Sequence, residues 1–199
     1  SSTSPIEALR INPKHQLLRL NLKVKILKEY GYEEALLGIS LSYNASLDRM
    51  PATAIRLANK DKGHNKFLES ICVWIDIDAP RFWWSEFDTY RVGVTKQSES
   101  TMHTITKSRL CQDNFEGPIL DLYLDYLNVL IGKGDIETIK NALPEGFLQR
   151  RIICTNYKAL RGILLQRRDH KLSQWHVFCD AILANVEHPY LLGIGGADE

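Results

Sequence analysis

Apolar and polar side chains alternate strictly over residues 18–26. Leu, Val or Ile occupies each even position, and Arg, Asn or Lys occupies each odd one. Successive side chains of a β-strand point to opposite faces, so this pattern predicts a half-buried strand. Residues 71–78 repeat it, with Ile or Val at odd positions and Cys, Trp or Asp at even ones. We expect a second strand there and a third over residues 147–154.

Apolar residues at helical spacing lie between and after these strands. They predict helices at 33–43, 52–60, 80–91, 120–132, 136–142, from a cap at Thr155 or Asn156 onwards, and at 172–186. Residues 92–114 are polar with few apolar anchors, and we expect them to form a long loop.

The third predicted helix carries strong local signals. Asp78 suits its N-cap, and Pro80 suits its first turn. Trp83, Phe87 and Tyr90 fall at helical spacing and form an aromatic stripe. We interpret this stripe as part of the core rather than as a surface that stacks a cofactor.

Strands and helices occur without an internal repeat or a linker. This order predicts one α+β domain over residues 1–199, with a mixed or antiparallel sheet packed with helices. Residues 1–15 are expected to form a loose arm, and residues 188–199 a flexible tail.

Composition narrows the classes of function. The chain has 199 residues, of which 44% are hydrophobic, and a net charge of +1, so no global field favours nucleic acid or a membrane surface. Its four cysteines lie far apart, which favours reduced thiols in a cytoplasmic protein over disulfides. Its six histidines show no metal-ligand spacing, so no metal site is expected. No apolar run approaches the roughly 18 residues of a membrane span.

The local sequence context alone makes two residues candidates for a functional role. Arg167 continues the buried face of its predicted helix, and a guanidinium there requires an anion, either a carboxylate or a ligand phosphate. His64 follows Gly63 and precedes Glu69 by five residues. A lone histidine is more often a surface or capping residue than a catalyst, and both readings stay open.

Several short segments follow one another in an informative order. They are Gly63-His-Asn-Lys-Phe-Leu-Glu69, Ala79-Pro80, Thr89-Tyr-Arg91, Leu143-Pro144, Thr155-Asn-Tyr-Lys-Ala-Leu160, Arg167 and Ser173-Gln-Trp175. Over roughly residues 18–187, their order and spacing resemble the flavin-dependent thymidylate synthases.

The resemblance implies a fold, a reaction and a set of ligands. In that family, reduced FAD supplies hydride and a methylene-folate supplies a one-carbon unit to C5 of a pyrimidine deoxynucleotide monophosphate, with NADPH as a further co-substrate. It implies methylation or hydroxymethylation of dUMP or dCMP by a cytoplasmic homotetramer, with no membrane or nucleic-acid partner.

The resemblance also implies roles for individual residues. The flavin would be bound by His64, Glu69, Thr89, Tyr90, Arg91, Asn156 and Lys158. The nucleotide would be bound by Glu86, Glu99, Ser100, Thr101, Lys140 and Arg167. Arg167 and His64 would take part in catalysis.

The chain departs from the family pattern at several of these positions. Thr89 and Tyr90 stand where the family has Arg and His, and Met102 stands where it has an Arg that contacts phosphate. Glu86 replaces a Gln that contacts the pyrimidine, and an ionised carboxylate can only accept hydrogen bonds, which would favour cytosine over uracil. The alternative is therefore a catalytically degenerate homologue that binds nucleotide without flavin chemistry. A third class, a nucleic-acid-binding module, is less favoured.

Overall fold

The computed structural model describes residues 20–60 and 63–193. Within them the strands are β1 (Lys23–Tyr30), β2 (Cys72–Pro80), β3 (Thr95–Ser98) and β4 (Leu148–Asn156). They form one antiparallel sheet in the order β1-β2-β4-β3. With the helices that accompany it, this sheet confirms the α+β class.

Helices account for most of the described residues that lie outside the strands. They are α1 (Tyr32–Tyr43), α2 (Met50–Ala58), α3 (Arg81–Phe87), α4 (Thr101–Thr104), α5 (Asp121–Lys133), α6 (Ile136–Ala142), α7 (Tyr157–Arg167) and α8 (Ser173–Asn185). Short 3-10 turns cover Leu47–Arg49, Lys66–Ser70, Gln112–Asn114 and Pro189–Leu192. None of the helices described is both long and apolar enough to cross a membrane.

Contacts group the chain into two compact units. The first unit comprises the described residues up to Lys23, with Asp78–Asp88 and Ser98–Arg151. The second unit comprises Val24–Ile77, Thr89–Gln97 and the described residues from Ile152 onwards. The single-domain organisation stays a prediction.

The core of the second unit follows the alternation along β2. Ile71, Val73, Ile75 and Ile77 are buried, whereas the residues between them are only half-buried. The predicted inner faces of the last two helices are buried as well, through Leu160, Ile163, Leu164, Trp175, Phe178 and Ile182. Periodicity therefore identified this core correctly.

The first unit has its own apolar cluster. Its members come from α5, α6 and the segments around them: Ile105, Leu110, Phe115, Leu127, Leu130, Ile139, Leu143 and Phe147. In α3, the ring of Trp83 stacks on that of Phe87 at 5.0 Å, and Trp84 Nε1 donates to the Gln149 carbonyl at 2.8 Å. Trp83 and Phe87 belong to the core, as expected, and Trp84, which was not part of the predicted stripe, is buried as well.

The predicted first strand is shifted along the chain. It was expected at 18–26, but β1 runs from Lys23 to Tyr30, and residues 18 and 19 lie outside the described chain. The backbone N–H of Asn21 donates to Glu116 Oε2 and its side-chain amide donates to the Phe115 carbonyl, both at 2.7 Å. Asn21 is therefore hydrogen-bonded to residues outside the sheet, and it precedes the first residue of β1.

The predicted helix at 80–91 is too long at both ends. Pro80 is the last residue of β2, with extended dihedral angles, and Asp78 lies in the strand rather than at a cap. The first N–H groups of α3 instead donate to the carbonyls of Phe147 and Glu145, each at 3.1 Å. The helix ends at Phe87, so Tyr90 is not part of the aromatic stripe.

The predicted loop at 92–114 contains regular structure. Besides α4 and a 3-10 turn, it includes β3, whose sequence Thr-Lys-Gln-Ser has no apolar residue to reveal a strand. Just beyond β3, the Glu99 N–H donates to the Arg150 carbonyl at 2.9 Å. Backbone pairing rather than side-chain burial therefore creates this edge strand.

The predicted flexible tail is wrong for residues 188–193. Pro189–Leu192 forms a 3-10 turn, and Leu191 and Leu192 are fully buried. The Tyr157 hydroxyl donates to a Glu29 carboxylate and accepts the His188 N–H at 3.1 Å. The burial of the two leucines and the hydrogen bonds of the Tyr157 hydroxyl stabilise the turn. Residues 194–199 and the predicted arm at 1–15 lie outside the described chain.

Gly31 provides a test of the link between β1 and α1. Its φ is 90°, and a Cβ there would collide with the Ser70 carbonyl. Gly31→Ala should therefore destabilise the protein by at least about 2 kcal/mol in urea unfolding. Gly38, inside α1 with open space around it, is the matched control. Gly38→Ala should stabilise by about 0.5–1 kcal/mol, and equal effects at both positions would contradict this account.

His188 should make stability depend on pH. Burial lowers its pKa, although the carboxylates of Glu29, Glu187 and Glu33 oppose the shift. The folded state then binds fewer protons than the unfolded state, so stability is lost as the pH falls below about 6.5. Thermal unfolding from about pH 7.5 to about pH 5.5 should show a smaller loss of Tm in His188→Gln than in the wild type. Replacing the exposed His176 with Gln should leave the wild-type slope, and an unchanged slope in His188→Gln would refute the assignment.

Candidate functional site

His64 lies on the rim of a cleft beside α1. This α1 cleft has a volume of about 410 Å³, and its apolar floor includes Ala35, Ile39, Leu57 and Phe67. His64 itself is exposed, in the turn that follows Gly63. The structure thus places this histidine at an accessible concave surface, as a binding role requires.

The side chain of Glu69 contacts α7. Its carboxylate accepts a hydrogen bond from Lys158 Nζ at 2.8 Å, and both side chains are partly exposed. The hydrogen bond and the charge of Lys158 lower the pKa of Glu69. Two of the predicted flavin residues are therefore partners, and their charges offset each other.

A second cleft brings together most of the predicted flavin residues. This α7 cleft has a volume of about 250 Å³. Its walls come from the segment after α3 and one face of α7: Thr89, Tyr90, Arg91, Val92, Val94, Lys158, Ala159, Gly162, Ile163 and Gln166. It combines two cations, Arg91 and Lys158, with an apolar wall.

Asn156 has a structural position. Its side-chain oxygen accepts the Ala159 N–H at 2.9 Å and so caps α7, as one of the two predicted caps. A Cβ on Gly93 would lie 2.9 Å from Asn156 Nδ2, and Gly93 has a φ of 69°. The amide thus packs closely against Gly93. Asn156 is not among the described residues that line the α7 cleft.

Arg167, at the end of α7, is half-buried among aromatic and polar groups. Its Nε donates to the Tyr90 hydroxyl at 2.8 Å, and its guanidinium lies 4.6 Å above the Trp175 ring. The Tyr90 hydroxyl in turn donates to Gln166 Oε1 at 2.9 Å. Stacking on aromatic faces is a common environment for a guanidinium, which keeps its charge there. Gln166 was not predicted as a partner, because an exposed glutamine on a helix has no distinguishing pattern in the sequence.

The predicted nucleotide residues lie in the first unit, except Arg167. Glu99 and Thr101 line a cleft of about 350 Å³ that also includes Asp78, Lys107 and Asp113. Sequence reasoning missed these last three. The remaining residues lie elsewhere in the unit: Glu86 half-buried on α3, Ser100 just before α4, and Lys140 exposed on α6. Only part of the predicted nucleotide set thus lines one cleft.

No family model and no curated protein sequence matches the chain. Two crystal structures have a similar fold, and both are of the flavin-dependent thymidylate synthase from Helicobacter pylori with FAD and dUMP. Each has a TM-score of 0.73 and 18% sequence identity; the alignments cover 85% and 86% of this chain and 97% of the other. The chain therefore has the fold of a flavin-dependent thymidylate synthase, as the resemblance predicted.

The Glu69–Lys158 pair can be tested by titration. In Lys158→Met the pKa of Glu69 should rise towards its ordinary value, whereas in Lys158→Arg it should stay lowered, as measured by carboxyl ¹³C NMR. In the wild type, the pair's contribution to stability is present above the ordinary carboxyl pKa and is lost as the pH falls through the lowered one. The contribution should be small because both groups are exposed. An unchanged titration of Glu69 in Lys158→Met would contradict the assignment.

Proposed function

We propose that this protein uses a flavin to modify C5 of a pyrimidine deoxynucleotide monophosphate, by methylation or hydroxymethylation of dUMP or dCMP. The observation that carries the proposal is the fold. At a TM-score of 0.73 over 85% of the chain, it resembles a protein whose structure contains FAD and dUMP. The proposal includes a methylene-folate as one-carbon donor, NADPH as reductant and a cytoplasmic homotetramer.

The residues of the α7 cleft fit part of a flavin. Arg91 and Lys158 would hold its phosphates, and Val92, Val94 and Ile163 offer an apolar wall to a ring. At about 250 Å³ the cleft is below the roughly 300–1,000 Å³ of sites for drug-sized ligands, so it suits one portion of FAD. Bound flavin would supply hydride chemistry, and the protein would supply binding and orientation.

The nucleotide would be bound by charged and polar side chains. Arg167 would donate hydrogen bonds to the pyrimidine, and Lys140 would attract the phosphate. Glu86 would accept a hydrogen bond from an exocyclic amine, which favours dCMP over dUMP. His64 would act at the α1 cleft, where it is accessible.

A catalytically degenerate homologue is the second candidate, and the lining of the α7 cleft favours it. Thr89 and Tyr90 bring no positive charge to the α7 cleft, where the family pattern has Arg and His. Such a protein would bind a pyrimidine nucleotide without flavin chemistry.

Binding measurements on the full chain separate these candidates. Absorbance titration should detect FAD binding, and calorimetry should detect dUMP or dCMP binding, with dCMP bound more tightly. Arg91→Ala should weaken FAD binding roughly tenfold, because a charge-assisted contact to phosphate is lost. The control is Arg168→Ala, which removes an exposed arginine paired with Asp169 at 3.4 Å. It should leave FAD affinity unchanged.

Each outcome favours one reading. Nucleotide binding without FAD binding would establish the degenerate homologue. Absence of both would overturn the proposed function. Strong, salt-dependent binding of oligonucleotides instead would point to a nucleic-acid-binding module.

A further inference from the structure

Tyr90 occupies a position that its predicted role does not explain. As a flavin contact, it would use its ring or hydroxyl on the cofactor. Tyr90 lines the α7 cleft, but its hydroxyl lies against α7, and the residue is half-buried beyond the end of α3. Its own carbonyl accepts a hydrogen bond from Lys96 Nζ at 3.0 Å, which anchors the backbone of this segment.

The Tyr90 hydroxyl uses both of its hydrogen-bonding capacities on α7. It accepts a hydrogen bond from the Arg167 Nε–H at 2.8 Å and donates a hydrogen bond to Gln166 Oε1 at 2.9 Å. Because one lone pair and the single proton are engaged together, the hydroxyl has a defined orientation. It therefore fixes the Nε–H direction of Arg167.

Aromatic rings restrict the same guanidinium from its faces. It lies 4.6 Å from the centre of the Trp175 ring and 5.5 Å from that of Tyr90. The centres of the two rings lie 6.3 Å apart and their planes form an angle of 78°, which is an edge-to-face arrangement. Trp175 is fully buried on α8. Two segments of the second unit, the one that follows α3 and α8, thus restrict both the plane and the in-plane direction of the Arg167 guanidinium.

We propose that Tyr90 is a positioning residue whose hydroxyl orders Arg167 for the pyrimidine nucleotide. This inference rests on the proposed function for the role of Arg167 and deepens it. An arginine side chain loses many rotamers when it binds a ligand, and a side chain that is ordered beforehand avoids this cost at the moment of binding. Tyr90 acts through Arg167 and need not touch the substrate.

The first experiment measures the order of Arg167 without any ligand. In ¹H–¹⁵N spectra the Arg167 Nε–H, identified by its loss in Arg167→Lys, should exchange slowly with water. Tyr90→Phe keeps the ring but removes the hydroxyl, so the exchange should accelerate roughly tenfold or more. Gln166→Met, at an exposed position, removes the acceptor that helps to orient the hydroxyl but keeps the hydroxyl as acceptor for Arg167, so the exchange should accelerate by less than about threefold.

The second experiment measures the consequence for substrate. Tyr90→Phe should raise the Kd for dCMP or dUMP roughly tenfold in calorimetry. The control is Tyr32→Phe, which also removes a tyrosine hydroxyl, hydrogen-bonded to Tyr190 at 3.2 Å. It should leave that Kd unchanged, although it also removes a hydrogen bond of a tyrosine hydroxyl.

The two readouts separate this inference from the proposed function. An exchange rate in Tyr90→Phe within twofold of the wild type would overturn the ordering of Arg167 by Tyr90. Faster exchange with an unchanged nucleotide Kd would overturn the role in substrate binding. If the wild type binds neither nucleotide, the proposed function and the substrate role both fail. The exchange rates still decide whether Tyr90 orders Arg167.

Discussion

The pairing of β2 with β4 is the constraint on which the candidate site depends. In the second unit, the Tyr157 N–H donates to the Ile71 carbonyl at 3.0 Å. In the first unit, the Arg81 N–H donates to the Phe147 carbonyl at 3.1 Å. These two bonds lie where each strand passes into its helix, so they set the starting points of α7 and α3. The starting point of each helix determines where the side chains of its candidate residues lie.

The start of α7 determines which side chains reach the second unit's clefts. Asn156 caps the helix, and its oxygen is committed to the Ala159 N–H. Two residues after the cap, Lys158 reaches Glu69 and the wall of the α7 cleft, and at the far end of the helix Arg167 reaches Tyr90. A shift of the helix by one residue would rotate each of these side chains by about 100°. The cap is therefore as important to the site as the charged residues.

Two cations among the candidate residues of the second unit have local partners. Lys158 is paired with Glu69, and Arg167 contacts the Tyr90 hydroxyl and two aromatic rings. Arg91 is exposed and also lines the α7 cleft. The neutral Tyr90 adds no positive charge beside Arg167, and its hydroxyl supplies an acceptor for the Arg167 Nε–H.

Local signals in the sequence were sufficient for features that neighbouring residues decide. The alternation along β2 and the cap of α7, predicted at Thr155 or Asn156, could both be read from the sequence, because each depends on residues within one or two turns. The order of short segments also predicted the fold. Only the tertiary structure decided that α3 ends at Phe87, that a polar segment forms β3, and that the chain around Leu191 is buried. These features depend on partners far along the chain, and the bond between Tyr90 and Arg167 spans 77 positions. A pattern within a short window carries no information about such contacts, because the fold alone brings the two partners together.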